Sequence, residues 1–221
     1  MFKKVSILMG MLVLFLGLTA CGATSEEEDI LPQRGSWDGD VFVNEYLGIQ
    51  FQLPEDWYAP DEDQLAAILG LGTEVMFPEG SEITDEILEF LEEEEMHDLY
   101  AINLMSGSSV QVLFSRLPRL SGNISVIELF EITQEELAEE MDMEIDFYIH
   151  SGTTTIGRYD FYGMDWTLEF IPGMEIVMRS FVNIDGRNIR TIMIGAMNDE
   201  EIENVLSYFS EPDESSIEST N

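Results

Sequence analysis

Tyr162, Met164, Trp166, Leu168 and Phe170 alternate with Asp165, Thr167 and Glu169. A period of two puts every apolar side chain on one face of a strand and would scatter them around a helix. Two further apolar runs, Glu175 to Ile184 and Asn188 to Gly195, meet at Asp185-Gly186. That dipeptide between two apolar runs predicts a tight hairpin, because the turn needs positive φ. Strands joined so closely can only be antiparallel.

The rest of the chain extends this pattern. Val41-Phe42-Val43, a turn at Glu45 to Gly48, and the alternation Ile49, Phe51, Leu53 predict an opening hairpin that Pro54 ends. Leu65, Ile68 and Leu69, then Ile83, Ile87, Phe90 and Leu91, have helical spacing. Tyr100 to Ser106 and Ser109 to Ser115 read as an antiparallel pair joined at Gly107. Ser125 with Glu128, and Thr133 with Glu136, both have capping-box spacing. Ile132 and Leu137 fit a hydrophobic staple around the second, which predicts a helix from about Thr133 to Asp142. Asn198 with Glu201 opens a last helix bearing Ile202, Val205, Leu206 and Phe209. The order predicts an α+β domain, a largely antiparallel β-sheet covered by helices rather than a doubly wound parallel sheet.

The N-terminus carries a different kind of signal. Lys3 and Lys4 precede an apolar run from Val5 to Leu18, and Leu18, Thr19 and Ala20 lead to Cys21, the only cysteine. The segment resembles a bacterial lipoprotein signal peptide with its lipobox, and its apolar run falls short of the roughly 20 residues that span a bilayer. The organisation expected is a signal peptide at 1–20, a polar tether at 21–33, one α+β domain at 34–209 and a disordered acidic tail at 210–221. Acyl chains such as palmitate on Cys21 would hold the protein to the cell membrane on its extracytoplasmic face. With Cys21 committed to lipid, neither a disulfide nor a thiol nucleophile is available.

Past residue 20 the chain has no lysine. Seven arginines stand against 45 acidic residues, a formal charge of −38. Such a surface repels phosphate backbones and anionic headgroups, which argues against nucleic-acid binding. Missing lysine also removes Schiff-base chemistry and a P-loop.

Tyr46-Leu47-Gly48-Ile49-Gln50-Phe51-Gln52-Leu53-Pro54-Glu55-Asp56-Trp57 resembles the opening of PsbP/Mog1-like domains, with a tyrosine, a small turn, an alternating strand and Pro-x-x-Trp. Arg34-Gly35-Ser36-Trp37-Asp38-Gly39 with Asn44-Glu45-Tyr46 resembles lipoproteins of Firmicutes that carry such a domain. The resemblance implies an α/β/α sandwich and a binding or assembly role, with no catalytic residue to carry over. The acidic stretch from Glu74 to Asp98 stands outside that pattern.

Residues arranged for chemistry are few. There is no Gly-x-Ser-x-Gly elbow, and His150 needs an orienting carboxylate that only the fold can supply. Glu94-x-x-His97 has the helix spacing of one half of a carboxylate-bridged di-iron site, and the second Glu-x-x-His is missing. Glu92 to Glu95 with Asp98, or Glu139, Glu140, Asp142, Glu144 and Asp146, offer oxygens to calcium without the spacing of a calcium loop. Met141 and Met143 could attract copper(I), although methionine more often fills cores. No metal site and no cofactor is therefore assigned.

The function expected is a non-enzymatic, lipid-anchored extracytoplasmic binding or assembly module of the bacterial cell envelope. It would meet the membrane through Cys21 and an envelope protein through an acidic face, with Trp37, Tyr46 and Trp57 as the possible interaction surface. A calcium- or small-ligand-binding sensor and an envelope hydrolase are the alternatives.

Overall fold

The computed structural model describes residues 33–61, 64–65, 96–117, 124–141, 145–171 and 174–212. The expected signal peptide with Leu18, Thr19, Ala20 and Cys21, most of the acidic stretch and residues 213–221 of the expected tail lie outside them. So do the helical repeats from Ile68 to Leu91.

The described chain is an antiparallel α+β structure with two sheets and two helices. β1 (Ser36–Asp38), β2 (Val41–Asn44) and β3 (Ile49–Gln52) are consecutive neighbours in a small sheet that β11 (Phe209–Ser210) completes beside β3. β4 (Trp57–Tyr58), β5 (Met96–Asn103), β6 (Ser109–Arg116), β7 (Phe147–Ile156), β8 (Tyr159–Ile171), β9 (Met174–Asp185) and β10 (Asn188–Ala196) form a seven-stranded sheet. Its order is β4-β5-β6-β10-β9-β8-β7, and all its pairs are antiparallel. Helix α1 (Val126–Met141) joins β6 to β7, and α2 (Asp199–Leu206) follows β10.

Alternation along the strands separates two cores. Val110, Val112, Phe114, Phe161, Phe181, Ile192 and Ile194 of the large sheet pack against Phe42, Ile49 and Phe51 of the small one and Ile202 and Val205 of α2. On the opposite face Met164, Trp166, Leu168, Val182 and Ile189 pack against Val126, Leu129 and Phe130 of α1. The large sheet is thus covered on one side by a second sheet as well as a helix. An amphipathic opening hairpin needs a partner for its apolar face, and the core of the large sheet provides it.

Five local features depart from the sequence pattern. α1 starts at the first capping box. The Ser125 amide and hydroxyl donate to the Glu128 carboxylate at 2.8 and 2.7 Å, and the Glu128 amide donates back to Ser125 Oγ at 3.2 Å. Thr133 is interior and donates to the Leu129 carbonyl, because the helix must begin early enough to bury Val126, Leu129 and Phe130. In the β9–β10 hairpin Asp185 pairs with Asn188, so Gly186 (φ 61°) and Arg187 form the loop and Asp185 ends the strand.

Phe209 leaves the helical stripe. Ser207 closes α2 by donating to the Glu203 and Asn204 carbonyls, and Phe209 then pairs with Phe51 in β11. β5 begins at Met96, before the expected Tyr100, which draws His97 and Asp98 into a buried strand. β7 was not anticipated, since Ser151 to Thr155 carry no apolar alternation; it is the far edge of the large sheet, with His150 in its interior.

Candidate functional site

The three aromatic residues expected at a surface separate. Tyr46 is buried, its ring edge-on to Phe114 at 5.6 Å and under the Arg190 guanidinium at 4.8 Å, with Tyr159 on the cation at 4.4 Å. Burial raises its phenol above the usual range, and Arg190 partly opposes that. Trp57 is also buried, edge-on to Phe51 and Tyr208. Both serve the core, Tyr46 from the turn between β2 and β3 and Trp57 from β4. Trp37 in β1 is half-buried against Phe42, at 5.4 Å.

Trp37 lines a cleft of about 540 Å³ whose described walls include Arg34, Leu53, Leu65, Asp98 and Tyr100. Asp61 and Gln64 brace one wall by exchanging backbone-to-side-chain bonds of 2.9 and 3.0 Å. Asp98 sits where β5 shifts register between His97 and Leu99, an irregularity that aims its carboxylate at the small sheet. Oδ1 accepts from the Gly35 amide at 3.0 Å and lies 3.5 Å from Arg34 Nε; Oδ2 accepts from Asn44 Nδ2 at 2.7 Å. Asn44 Nδ2 also donates to the Gln33 carbonyl, and its Oδ1 accepts from the Leu47 amide. Full burial drives the Asp98 pKa from 3.8 to about 6, against the opposing pull of Asn44, Gly35 and Arg34. This carboxylate fastens residues 33–35 to the core. Asp98, one of the oxygens offered to calcium beside Glu92 to Glu95, is thus buried and paired within the core.

His97, which a di-iron motif would need on a helix, lies in β5 and faces the other side of the large sheet opposite Leu113. Burial lowers its pKa to about 4, so the ring is neutral at pH 7. It shares its sheet face with Gln111, Ser115 and Thr191, all buried. Nothing in the sequence marked that polar row, since Gln111, Ser115 and Thr191 are single polar residues in largely apolar stretches and His97 stands in an acidic run.

The fold does supply His150 with a carboxylate. Its Nε2 lies 3.0 Å from Asp165 Oδ1. Both Asp165 oxygens, however, accept from the buried Arg179 guanidinium, at 2.7 and 3.0 Å. Arg179 also reaches Asp199 at 3.0 Å and Glu203 at 2.9 Å on α2. The arrangement clamps α2 to the sheet, and among the described residues no hydroxyl hydrogen-bonds His150.

Among the described residues no three His, Cys, Asp or Glu side chains are grouped to hold a metal ion, and no helix is long and apolar enough to cross a membrane. Glu92 to Glu95, Asp142 and Glu144 lie outside the described residues, as do the side chains of Glu139 and Glu140; Asp146 is exposed.

No family model and no curated protein matches the sequence. Among solved structures the chain is similar to the cyanobacterial PsbP (CyanoP) of Synechocystis sp. PCC 6803, with 10% identity and a TM-score of 0.42 over 88% of this chain and 99% of that one. It is also similar to LpqN, involved in cell envelope biogenesis of Mycobacterium tuberculosis, with 12% identity and a TM-score of 0.37 over 74% of this chain and 83% of that one. Scores of this size leave function to be argued from the chain's own residues.

Proposed function

We propose that this protein is a lipid-anchored, extracytoplasmic binding module of the bacterial cell envelope, without catalytic activity. The observation that carries the binding role is the cleft between β1, β5 and the segment after β4. It combines a half-buried indole, Trp37, and the Tyr100 ring with the Arg34–Asp98 ion pair, and it adjoins the point where the tether enters the domain. Concave apolar walls with a few fixed polar groups are what a recognition pocket needs. The lipobox supports the anchor, and the charge of −38 past residue 20 favours a basic protein partner over nucleic acid. Favouring this reading over a hydrolase, Arg179 engages both oxygens of the carboxylate beside His150.

Two measurements in cells producing the full chain test this reading. An alkyne analogue of palmitate should label the wild type and not Cys21→Ala; equal labelling of both, or of neither, removes the anchor. A photo-reactive phenylalanine analogue at position 37 should give a discrete adduct that Tyr100→Ala weakens. No adduct at 37 removes the cleft as the binding site.

A further inference from the structure

The connection between β5 and β6 inverts the usual arrangement of a loop. Its polar groups point inward and hold the backbone, while its two large apolar side chains point out. Asn103 Oδ1 accepts from the Met105 and Ser106 amides at 2.8 and 3.1 Å, and the Gly107 amide returns to the Asn103 carbonyl at 2.8 Å. Gly107 takes φ 78°, a conformation that side chains disfavour. Asn103 Nδ2 donates to Asp56 at 2.7 Å on one side. On the other, the Ser106 hydroxyl donates to that of Ser108, which donates to Glu201 of α2, each at 2.8 Å. On this braced turn Leu104 is 73% exposed and Met105 90%. Met197, also exposed, lies at the same end of the sheet, and its amide reaches the same Glu201 carboxylate at 3.3 Å.

We propose that Leu104 and Met105 form a preorganised docking knuckle for a protein partner with an apolar pocket bordered by lysine or arginine. Two features select that occupant. The turn is already ordered, so seating two apolar side chains costs little conformational entropy, and their burial supplies the drive. The acids around it choose the sign of the partner. Asp56 and Glu201 hold the turn from either side, and Glu200 stands beside Glu201 in the first turn of α2. A pocket rimmed with cations complements this collar, whereas anionic headgroups and a second copy at −38 are repelled. The surface is separate from the Trp37 cleft, and the inference stands independently of it.

The test places a photo-reactive phenylalanine analogue at position 105 in the full-length, lipidated chain in cells, with position 148 on the opposite edge strand as control. The expected result is a protein adduct at 105 that is absent at 148, with the cross-linked segment of the partner apolar and flanked by Lys or Arg. That partner, once purified, should bind the Leu104→Ser/Met105→Ser double variant about ten-fold or more weakly than wild type. Its binding should also weaken as salt rises from about 0.05 to 0.5 M. Because both side chains are exposed, the double variant should keep the wild-type melting temperature, so loss of binding cannot be read as unfolding.

No adduct specific to 105 overturns the proposal, as does an adduct of two copies of this chain or binding indifferent to the double variant. Flotation of Cys21→Ala protein with phosphatidylethanolamine/phosphatidylglycerol vesicles that depends on Leu104 and Met105 would overturn it in favour of a membrane surface. An adduct at 37 without one at 105 leaves the cleft as the binding site and removes the knuckle alone.

Discussion

His97 and Asp98 are consecutive in β5, yet their side chains point to opposite faces of the large sheet and their pKa values move in opposite directions. Asp98 rises from 3.8 to about 6 and His97 falls from 6.5 to about 4, each through burial of its charged form. The stability linked to Asp98 is complete below pH 3.8 and is lost as pH rises through about 6. That linked to His97 is complete above pH 6.5 and is lost as pH falls through about 4.

Each effect amounts to about 3 kcal/mol across its window, and in the wild type they oppose one another. Thermal unfolding between pH 7 and 4 should separate them. On acidification His97→Leu should gain about 5 to 10 °C relative to wild type, and Asp98→Asn should lose about as much. Relief of acidic self-repulsion is common to all three proteins, so the differences isolate the two groups. Parallel curves would contradict both assignments.

Arg179 adds a charged contact between α2 and the sheet to the apolar one made by Ile202 and Val205. Arg179→Gln leaves the partly buried Asp165 without its cation and should destabilise by about 3 kcal/mol, seen as a lower denaturation midpoint. Glu203→Gln removes a carboxylate that is 67% exposed and should change stability by no more than about 0.5 kcal/mol. Equal effects would show that the clamp does not act through Asp165.

The two capping boxes before α1 are separable by mutation. Ser125→Ala removes an N-cap and should cost about 1 kcal/mol in urea unfolding. Thr133→Ala touches an interior hydroxyl bonded to the Leu129 carbonyl, and no cap is lost. Asn198→Ala should resemble Ser125→Ala, since Asn198 Oδ1 accepts from the Glu201 amide at 3.0 Å at the start of α2. A larger loss from Thr133→Ala than from Ser125→Ala would move the helix start back to the second box.

Gly157 and Gly39 share positive φ, at 59° and 62°, and differ in surroundings. A Cβ at Gly157 would stand 2.1 Å from the Gly48 carbonyl oxygen, where the Arg158 amide donates to that same oxygen across two turns. At Gly39 it would meet nothing within 4 Å. Gly39→Ala should cost about 1 kcal/mol from backbone strain alone, and Gly157→Ala clearly more, by chemical denaturation. Equal costs would mean that the two turns separate without penalty.

Local pattern was enough for the antiparallel α+β class. The alternation from Tyr162, the hairpin after Asp185 and the Asn198 cap are encoded within a few residues of where they act. The same locality explains the lipobox reading, which depends on residues 3 to 21 alone. Thr133 misled because its capping spacing equals that of Ser125, and only the burial of Val126, Leu129 and Phe130 against the sheet distinguishes them. β7 escaped because an edge strand can be recruited by its neighbour's backbone without apolar alternation of its own.

Short-range spacing encodes the alternation along β3 and β8, the hairpin turns at Gly107 and Gly186, and the acidic balance of the chain. Tertiary structure decided which charged and aromatic residues are interior. Asp98 looked like one more member of an acidic run until β5 shifted register beneath Asn44 and Gly35, more than fifty residues earlier. Leu104 and Met105 looked like the end of an apolar strand until Asn103 capped the turn and left them outside. Burial is a property of what other segments cover, and no local spacing records it.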